Sequence, residues 1–397
     1  MITKKLILDQ QLKSQSKEVK YCVKCVLSNQ RPKVTFDENG VCSACQYAWR
    51  KYNLINWEKR HKELLRLCEK YRSKNKSYDV IVPSSGGKDS SIVAYKLKYE
   101  YGMHPLTVTW APFLYTDIGW KNYINFKDSG FDNILCFPNG NLHRKLSRVA
   151  FEVKGDNFEP FVWGQKALAF NIAVKFKIPL IFYGENGEVE YSGHKETENK
   201  PFESPADWEK MYLKGSGPDK IIQAGLKIGV LNKKDIGSTD FSIYKPPSMK
   251  DIKKLGIQMH WFSYYNKWIP QENFYFAQKH TGFTVNEEGR SEGTYSKYAS
   301  LDDKTDGIHY YMAFIKFGLG RCTSDAAHEI RDGHITREEG VALVKRYDGE
   351  FPKKHFQETL EYLNLTEKEF WKIVNKFRPS HLWKKEKGEW KLKYQVK

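Results

Sequence analysis

No run of apolar residues in this chain reaches the ~18–20 residues that a membrane-spanning helix needs. The opening stretch, MITKKLILDQQLKSQSKEVK, has too short an apolar piece for a secretory signal. Together these absences make a cytoplasmic protein with no membrane partner the expectation. The nucleotide P-loop pattern G-x-x-x-x-G-K-[ST] is missing. The 11 histidines form no H-x-x-x-H or similar ligand cluster, so none is assigned to a metal. No internal repeat is evident, and outside one N-terminal segment there is no C-x-x-C. Acidic charge is scarce. The 65 Lys and Arg residues outnumber the 48 Asp and Glu, giving a net charge of +17 and a pI near 9.3.

That balance suits an anionic partner without choosing among RNA, a nucleotide-sugar and an acidic surface. The aromatic-rich HWFSYYNKWIPQENFYF holds one Lys and no Arg, so it reads as core or substrate wall rather than a base-stacking platform. Nucleic acid is therefore not the expected partner. The tail LWKKEKGEWKLKYQVK reads as solvated lysine. With 397 residues, 40% hydrophobic and 28% charged, the chain is globular and long enough for two or three domains.

Four of the seven cysteines are paired by spacing: Cys22, Cys25, Cys42 and Cys45, in C-x2-C-x16-C-x2-C. Each C-x-x-C bends the chain so that two thiolates reach one ion, and two such knuckles complete a tetrahedron. The turn-rich VLSNQRPKVTFDENGV between them completes a zinc ribbon over residues 18–50. Two disulfides are the alternative, which a cytoplasmic chain disfavours. Four Cys ligands make a closed, structural site. Cys68, Cys136 and Cys322 are singletons, with Cys68 on the apolar face of a helix over Trp57–Tyr71.

The segment VIVPSSGGKDSS, Val80 to Ser91, raises the central question. A β-branched run reads as a buried strand. It turns through Gly86 and Gly87 onto KDSSIVAYKLKYEYG, which has helical periodicity and a Gly stop. Unpaired N–H groups at a helix start, with about half a positive charge from the helix dipole, attract an anion. Gly86 and Gly87 let the backbone approach it, Lys88 adds a full charge, and Ser85 and Ser90 offer hydroxyls. The ligand that fits is a phosphate chain. Strands at PLTVTW (Pro105–Trp110), NILCF, PLIFYGE (Pro179–Glu185) and IQMHWFSYY alternate with helical segments. This order predicts a doubly wound parallel α/β sheet over residues 51–283, with ligands past the carboxyl ends of the strands. A polar insertion over residues 190–258 carries KGSGPDK and KPPSMK as breakers, and residues 284–397 read as helical from GTYSKYASLDD onward. TREEGVALVKRY opens with a capping box.

The block SGGKDS resembles the pyrophosphate loop (PP-loop) of the N-type ATP pyrophosphatases. GENGEVEYSG resembles the G-E-N-x-x-E-Y-G-G block of the bacterial N-acetyl sugar amidotransferases, with Ser192 at the first of its final glycines. FIKFGLGRCTSDAAHEIRDGHITREE resembles their C-terminal signature, and APFLYTDIGWKN, EPFVWGQ and the ribbon also fit. The resemblance runs from about Cys22 to Pro352. It implies a PP-loop fold and an ATP-dependent conversion of a sugar acetamido group to an acetamidino group, in O-antigen or nonulosonic-acid biosynthesis.

Under that resemblance Ser85, Gly86, Gly87, Lys88, Asp89, Ser90 and Thr109 hold ATP, and Asp89 holds Mg²⁺. Lys88, Asp89 and Glu185 are the catalytic candidates. Asp117, Asn122, Gln165, Asn186, Glu190, Tyr191, Lys316, Arg321 and Arg331 are the candidates for contacts to a nucleotide-linked acetamido sugar. For Glu185, Glu188 and Glu190 a solvated acidic turn is the alternative. For Lys316, Arg321 and Arg331 it is a helix–helix salt-bridge set. The implied nitrogen source is ammonia from a separate glutaminase with a cyclase-like channelling subunit. Neither Cys136 nor Cys322 has a glutaminase setting, and residue 2 is Ile. A tRNA-thiolating pyrophosphatase and a non-enzymatic nucleotide-binding scaffold are the competing readings.

Overall fold

The computed structural model describes residues 6–203, 217–236 and 239–397. Part of the expected insertion, including residues 214–216 of its first breaker, lies outside the described residues.

A central sheet is built from β1 (Val80–Pro83), β2 (Pro105–Trp110), β3 (Asn133–Cys136), β4 (Leu180–Tyr183), β5 (Phe202–Glu203) and β6 (Gln258–Trp261). Its spatial order is β3-β2-β1-β4-β6-β5. The first five strands in that order run parallel, and only the short edge strand β5 is antiparallel. The β-branched run of β1 is explained by two-sided burial. Ile81 packs with Leu106, Val108 and Ile181 under the Gly140–Lys154 and Glu159–Phe176 helices. Val80 and Val82 pack on the opposite face with Leu180, Phe182, Val93, Leu97, Leu64 and Cys68. The expected α/β architecture, with apolar cores on both faces of a parallel sheet, is present.

From β1 the chain steps to β2 and β3 on one side, then returns to β4 on the other. The carboxyl ends of β1 and β4 therefore flank a crevice where the winding reverses. Helices Asp306–Phe317 and Arg321–Arg331 approach this end of the sheet. The capping box at Thr336 and Glu339 is formed.

Two expectations need correction. The helical region starts at Asp306, not at Gly293; the preceding segment is irregular and forms a bridge from Asp303 to Tyr115. The lysine-rich tail is not merely solvated. Trp383–Glu386 and Glu389–Leu392 form a hairpin, β7 and β8, around Lys387 and Gly388, whose φ values are +48° and +89°. Two positive φ values match the twist of a two-residue hairpin turn. Trp383 is buried and donates its indole N–H to the Ile315 carbonyl at 2.8 Å. Among the described residues, no helix is long and apolar enough to cross a membrane.

Candidate active site at the end of the sheet

The loop after β1 is braced from within. Ser84 donates its amide to the Val108 carbonyl at 2.9 Å and its hydroxyl to Ser90 Oγ at 3.0 Å. Ser90 in turn donates to the Gly87 carbonyl at 3.1 Å, and Thr109 Oγ1 donates to the Ser84 carbonyl. The hydroxyls of Ser90 and Thr109 are thus spent on loop shape. Gly86 has φ +82°, and a Cβ there would stand 2.7 Å from the Tyr123 Cα and 2.8 Å from the Asn122 carbonyl. Gly87 caps the Lys88–Tyr95 helix with no side-chain hydrogen bond, so the first helical N–H groups face outward unclaimed by a cap.

Lys88 and Asp89 open that helix as an ion pair, and Asn273 Nδ2 donates to Asp89 Oδ1 at 3.2 Å. From the end of β4, Glu185 lies beside Asp89. Its carboxyl is pushed up to about 7, first by burial and then by the Asp89 charge, with Lys88 opposing. Tyr191 places its hydroxyl 3.5 Å from Glu185 Oε1 and its ring 4.7 Å from that of His328. Burial, then the neighbouring Arg331, Lys51, Arg31 and Lys88, holds His328 well below its ordinary range, so it stays neutral.

A cavity of about 260 Å³ opens beside the loop, at the carboxyl ends of β1 and β2. Ser84 and Ser85 form one wall, and Trp110, Phe158 and Phe161 form an aromatic one. Gln165, Asp302, Asp303, Asp306, Tyr310 and Arg321 complete it. Asp302 is pushed up to about 6 by burial and by Asp306, while a hydrogen bond from Ser85 and the Arg321 charge favour its ionised form. Asp303 is pushed up to about 7 by burial, although the Thr305 amide donates to it at 2.8 Å. Arg321 pairs with Asp325 at 3.1 Å and lies 4.6 Å over the Tyr310 ring.

Of the sequence candidates, the structure brings together Ser85, Gly86, Gly87, Lys88, Asp89, Glu185, Tyr191, Gln165 and Arg321. Others are engaged elsewhere. Lys316 is buried, with its ammonium 3.0 Å from Asp9 Oδ2 and 3.2 Å from the Lys154 carbonyl. Glu190 is buried against Lys51 at 3.2 Å and Tyr47 at 3.1 Å. Asn122 spends its whole amide on Thr284. Asn186 caps the Gly187–Ser192 helix. Asp117 is exposed in the first turn of the Asp117–Asp128 helix. Arg331 is only partly engaged: it donates to the Glu190 carbonyl at 3.3 Å and faces the thiols of Cys25, Cys45 and Cys42, while its Nη1 is left without a hydrogen-bond partner.

Sequence reasoning missed Arg31, which lies 5.5 Å over the Tyr191 ring, and the three aspartates of the cavity. The aspartates had a signal: SLDDKTD interrupts helical periodicity with a cluster of acids.

The four paired cysteines converge, and their sulfurs all lie within 4.8 Å of one another. Cys22 and Cys45 sulfurs are 3.8 Å apart, and those of Cys25 and Cys42 are 3.7 Å apart. A tetrahedron with Zn–S bonds of ~2.3 Å has edges of about 3.8 Å. The cluster therefore fits a zinc ion with all four ligands from protein.

Residues 292–397 match the family model described as "LPS biosynthesis protein WbpG-like, C-terminal domain". No curated protein matches the chain. The matched stretch includes Asp302, Asp303, Asp306, Tyr310 and Arg321 of the cavity, and its likeness to that domain supports a role for the chain in polysaccharide biosynthesis.

Proposed function

We propose that the chain is an ATP-dependent amidotransferase that converts the acetamido group of a nucleotide-linked sugar into an acetamidino group. The observation that carries this reading is the convergence of Lys88, Asp89 and Glu185 where the sheet reverses its winding, at an open helix N-terminus. An amide carbonyl is a poor electrophile because its oxygen leaves badly. Transfer of AMP to that oxygen, with loss of pyrophosphate, gives an O-adenylyl imidate. Ammonia then adds to the carbon and AMP departs.

The open N–H groups after Gly87 and the Lys88 ammonium suit a phosphate chain. Asp89, in the first turn of that helix, would hold Mg²⁺ together with phosphate oxygens. When bound there, the ion supplies positive charge to phosphate oxygens. Glu185, titrating near neutral pH, is suited to take a proton from the nitrogen nucleophile. The aromatic wall of Trp110, Phe158 and Phe161, with the acceptors of Asp302 and Asp306, suits a nucleoside.

Ammonia is the proposed nitrogen source, delivered by a separate glutaminase with a cyclase-like subunit. Cys322 is fully buried, which does not suit a glutaminase nucleophile.

The test is pyrophosphate release. It is expected with ATP, Mg²⁺, a nucleotide-linked acetamido sugar and ammonium salt, and not with glutamine as the nitrogen source for the isolated chain. Lys88→Ala is expected to lower kcat/KM by about 30- to 1,000-fold, the equivalent of ~2–4 kcal/mol of transition-state stabilisation. Release with tRNA alone would replace this reading with a tRNA-modifying one.

A further inference from the structure

Arg31 belongs to the cysteine ribbon, between its two C-x-x-C pairs. The ribbon is docked tightly on the segment after β4. Ser43 donates its hydroxyl to the Ser192 carbonyl at 2.5 Å, Ser192 Oγ donates to the Pro32 carbonyl at 3.4 Å, and Lys33 pairs with Glu188. Gly193 has φ +65°, and a Cβ there would lie 2.1 Å from the Ser43 carbonyl oxygen, so the two backbones touch. This docking is what carries Arg31 over the ring of Tyr191, whose hydroxyl approaches Glu185.

Among the described residues, no carboxylate pairs with Arg31 and no acceptor takes a hydrogen bond from its guanidinium. Burial works against its charge first; Tyr191 opposes that, and Arg331 and Arg321 add to it. Arg331 has a buried Nη1 without a hydrogen-bond partner, although the ribbon thiols face that side chain. Arg321 has Asp325. Of these three guanidinium groups, only Arg321 is salt-bridged to a carboxylate among the described residues. All three side chains remain partly open to solvent, so an incoming anion can reach them. Forked donors are the groups that hold phosphate oxygens in two bonds at once.

We propose that Arg31, together with Arg321 and Arg331, forms an oxyanion subsite beside Glu185 that takes the diphosphate of the nucleotide-linked substrate. The subsite is read from the geometry, whereas the identity of its ligand rests on the function proposed above. The ribbon on this reading does more than fold. It supplies a substrate-binding arginine over the ring of Tyr191.

The test uses the full-length, zinc-loaded chain and inorganic pyrophosphate as probe. The loop is first saturated with α,β-methylene-ATP and Mg²⁺, and pyrophosphate is then titrated calorimetrically. Pyrophosphate is expected to bind in the presence of the analogue, about 10- to 100-fold more weakly in Arg31→Ala and intermediately in Arg31→Lys. Zinc content and melting temperature are expected to match the parent protein. Arg321→Gln, on a different element, supplies the same comparison if Arg31→Ala does not fold. An unchanged affinity in a folded, zinc-loaded variant overturns the proposal. So does pyrophosphate binding that the analogue abolishes, because the phosphates would then be ATP's own. No turnover is needed. A chain that releases pyrophosphate but shows no Arg31 effect sinks this inference alone, and one that shows the effect without turnover sinks only the reaction.

Discussion

The buried ammonium of Lys51, on the helix that closes the cysteine ribbon, lies 3.2 Å from Glu190 Oε2 in the segment after β4. It also donates to the Trp268 carbonyl at 2.7 Å and lies 3.5 Å from Asp332. One lysine thus joins the ribbon, the sheet and the C-terminal helices. Removing it leaves Glu190, already pushed up by burial, with Tyr47 as its remaining polar partner. Lys51→Met is expected to destabilise the fold by about 3–5 kcal/mol, because an uncompensated buried charge remains. Adding Glu190→Gln is expected to recover part of that loss. Urea unfolding of the two variants decides it; an unchanged midpoint for Lys51→Met would show that the pair holds nothing.

Gly86 is the tightest point of the loop. Alanine there meets both a left-handed φ and the backbone of Asn122 and Tyr123. The backbone conformation alone costs about 1–3 kcal/mol, and the contact must be relieved by moving the loop. Gly86→Ala is expected to bind ATP at least tenfold more weakly while far-ultraviolet circular dichroism stays unchanged. Parent-like ATP affinity in this variant would mean that the loop does not cradle phosphate.

Local features were legible in the sequence because local chemistry encodes them. The β-branched run of β1, the two glycines and Lys88 lie within one short stretch, and the structure places them as strand, turn and helix start. Charges whose partners are remote were not legible. Lys316 was a substrate candidate, but its partner Asp9 is 307 positions away. Glu190 pairs with Lys51 across 139 positions. A motif marks such residues without revealing whether their charge is open or already matched. Arg31 is the converse: an unremarkable ribbon residue that folding carries to Tyr191. The tail misled because lysine density hid Trp383 and the Lys387–Gly388 turn.

The cysteine cluster shares its buried core with Val26, Leu27, Ala326, Ala327 and Val341, so metal and C-terminal helices are packed together. Loss of the ion is expected to spread beyond the ribbon, since metal affinity in such modules is folding energy. Cys42→Ser should lose zinc and soluble yield together, and chelation of the parent protein should lower its melting temperature. One zinc per chain by atomic absorption is the companion measurement. A metal-free chain that melts at the parent temperature would remove zinc from the account.

Glu185 gives the sharpest pH test. Its folded pKa of about 7 stands above the ordinary 4.5, so between those values the folded chain holds a proton that the unfolded chain has lost. The stabilising effect of that proton is complete below about 4.5 and is lost as pH rises through about 7. Activity should run the other way. Only the carboxylate can accept a proton from the nitrogen nucleophile, so kcat/KM should rise with pH through an apparent pKa near 7. Glu185→Gln is expected to lower the rate and flatten that limb, because the amide does not titrate. Asp89→Asn is expected to move the limb of its residual activity to lower pH, because the charge that helps raise Glu185 is gone. The two variants separate the roles, since one removes the titration and the other displaces it. If the limb near pH 7 survives unchanged in Glu185→Gln, another group titrates there, and Asp303, pushed up to about 7 in the cavity wall, becomes the residue to substitute next.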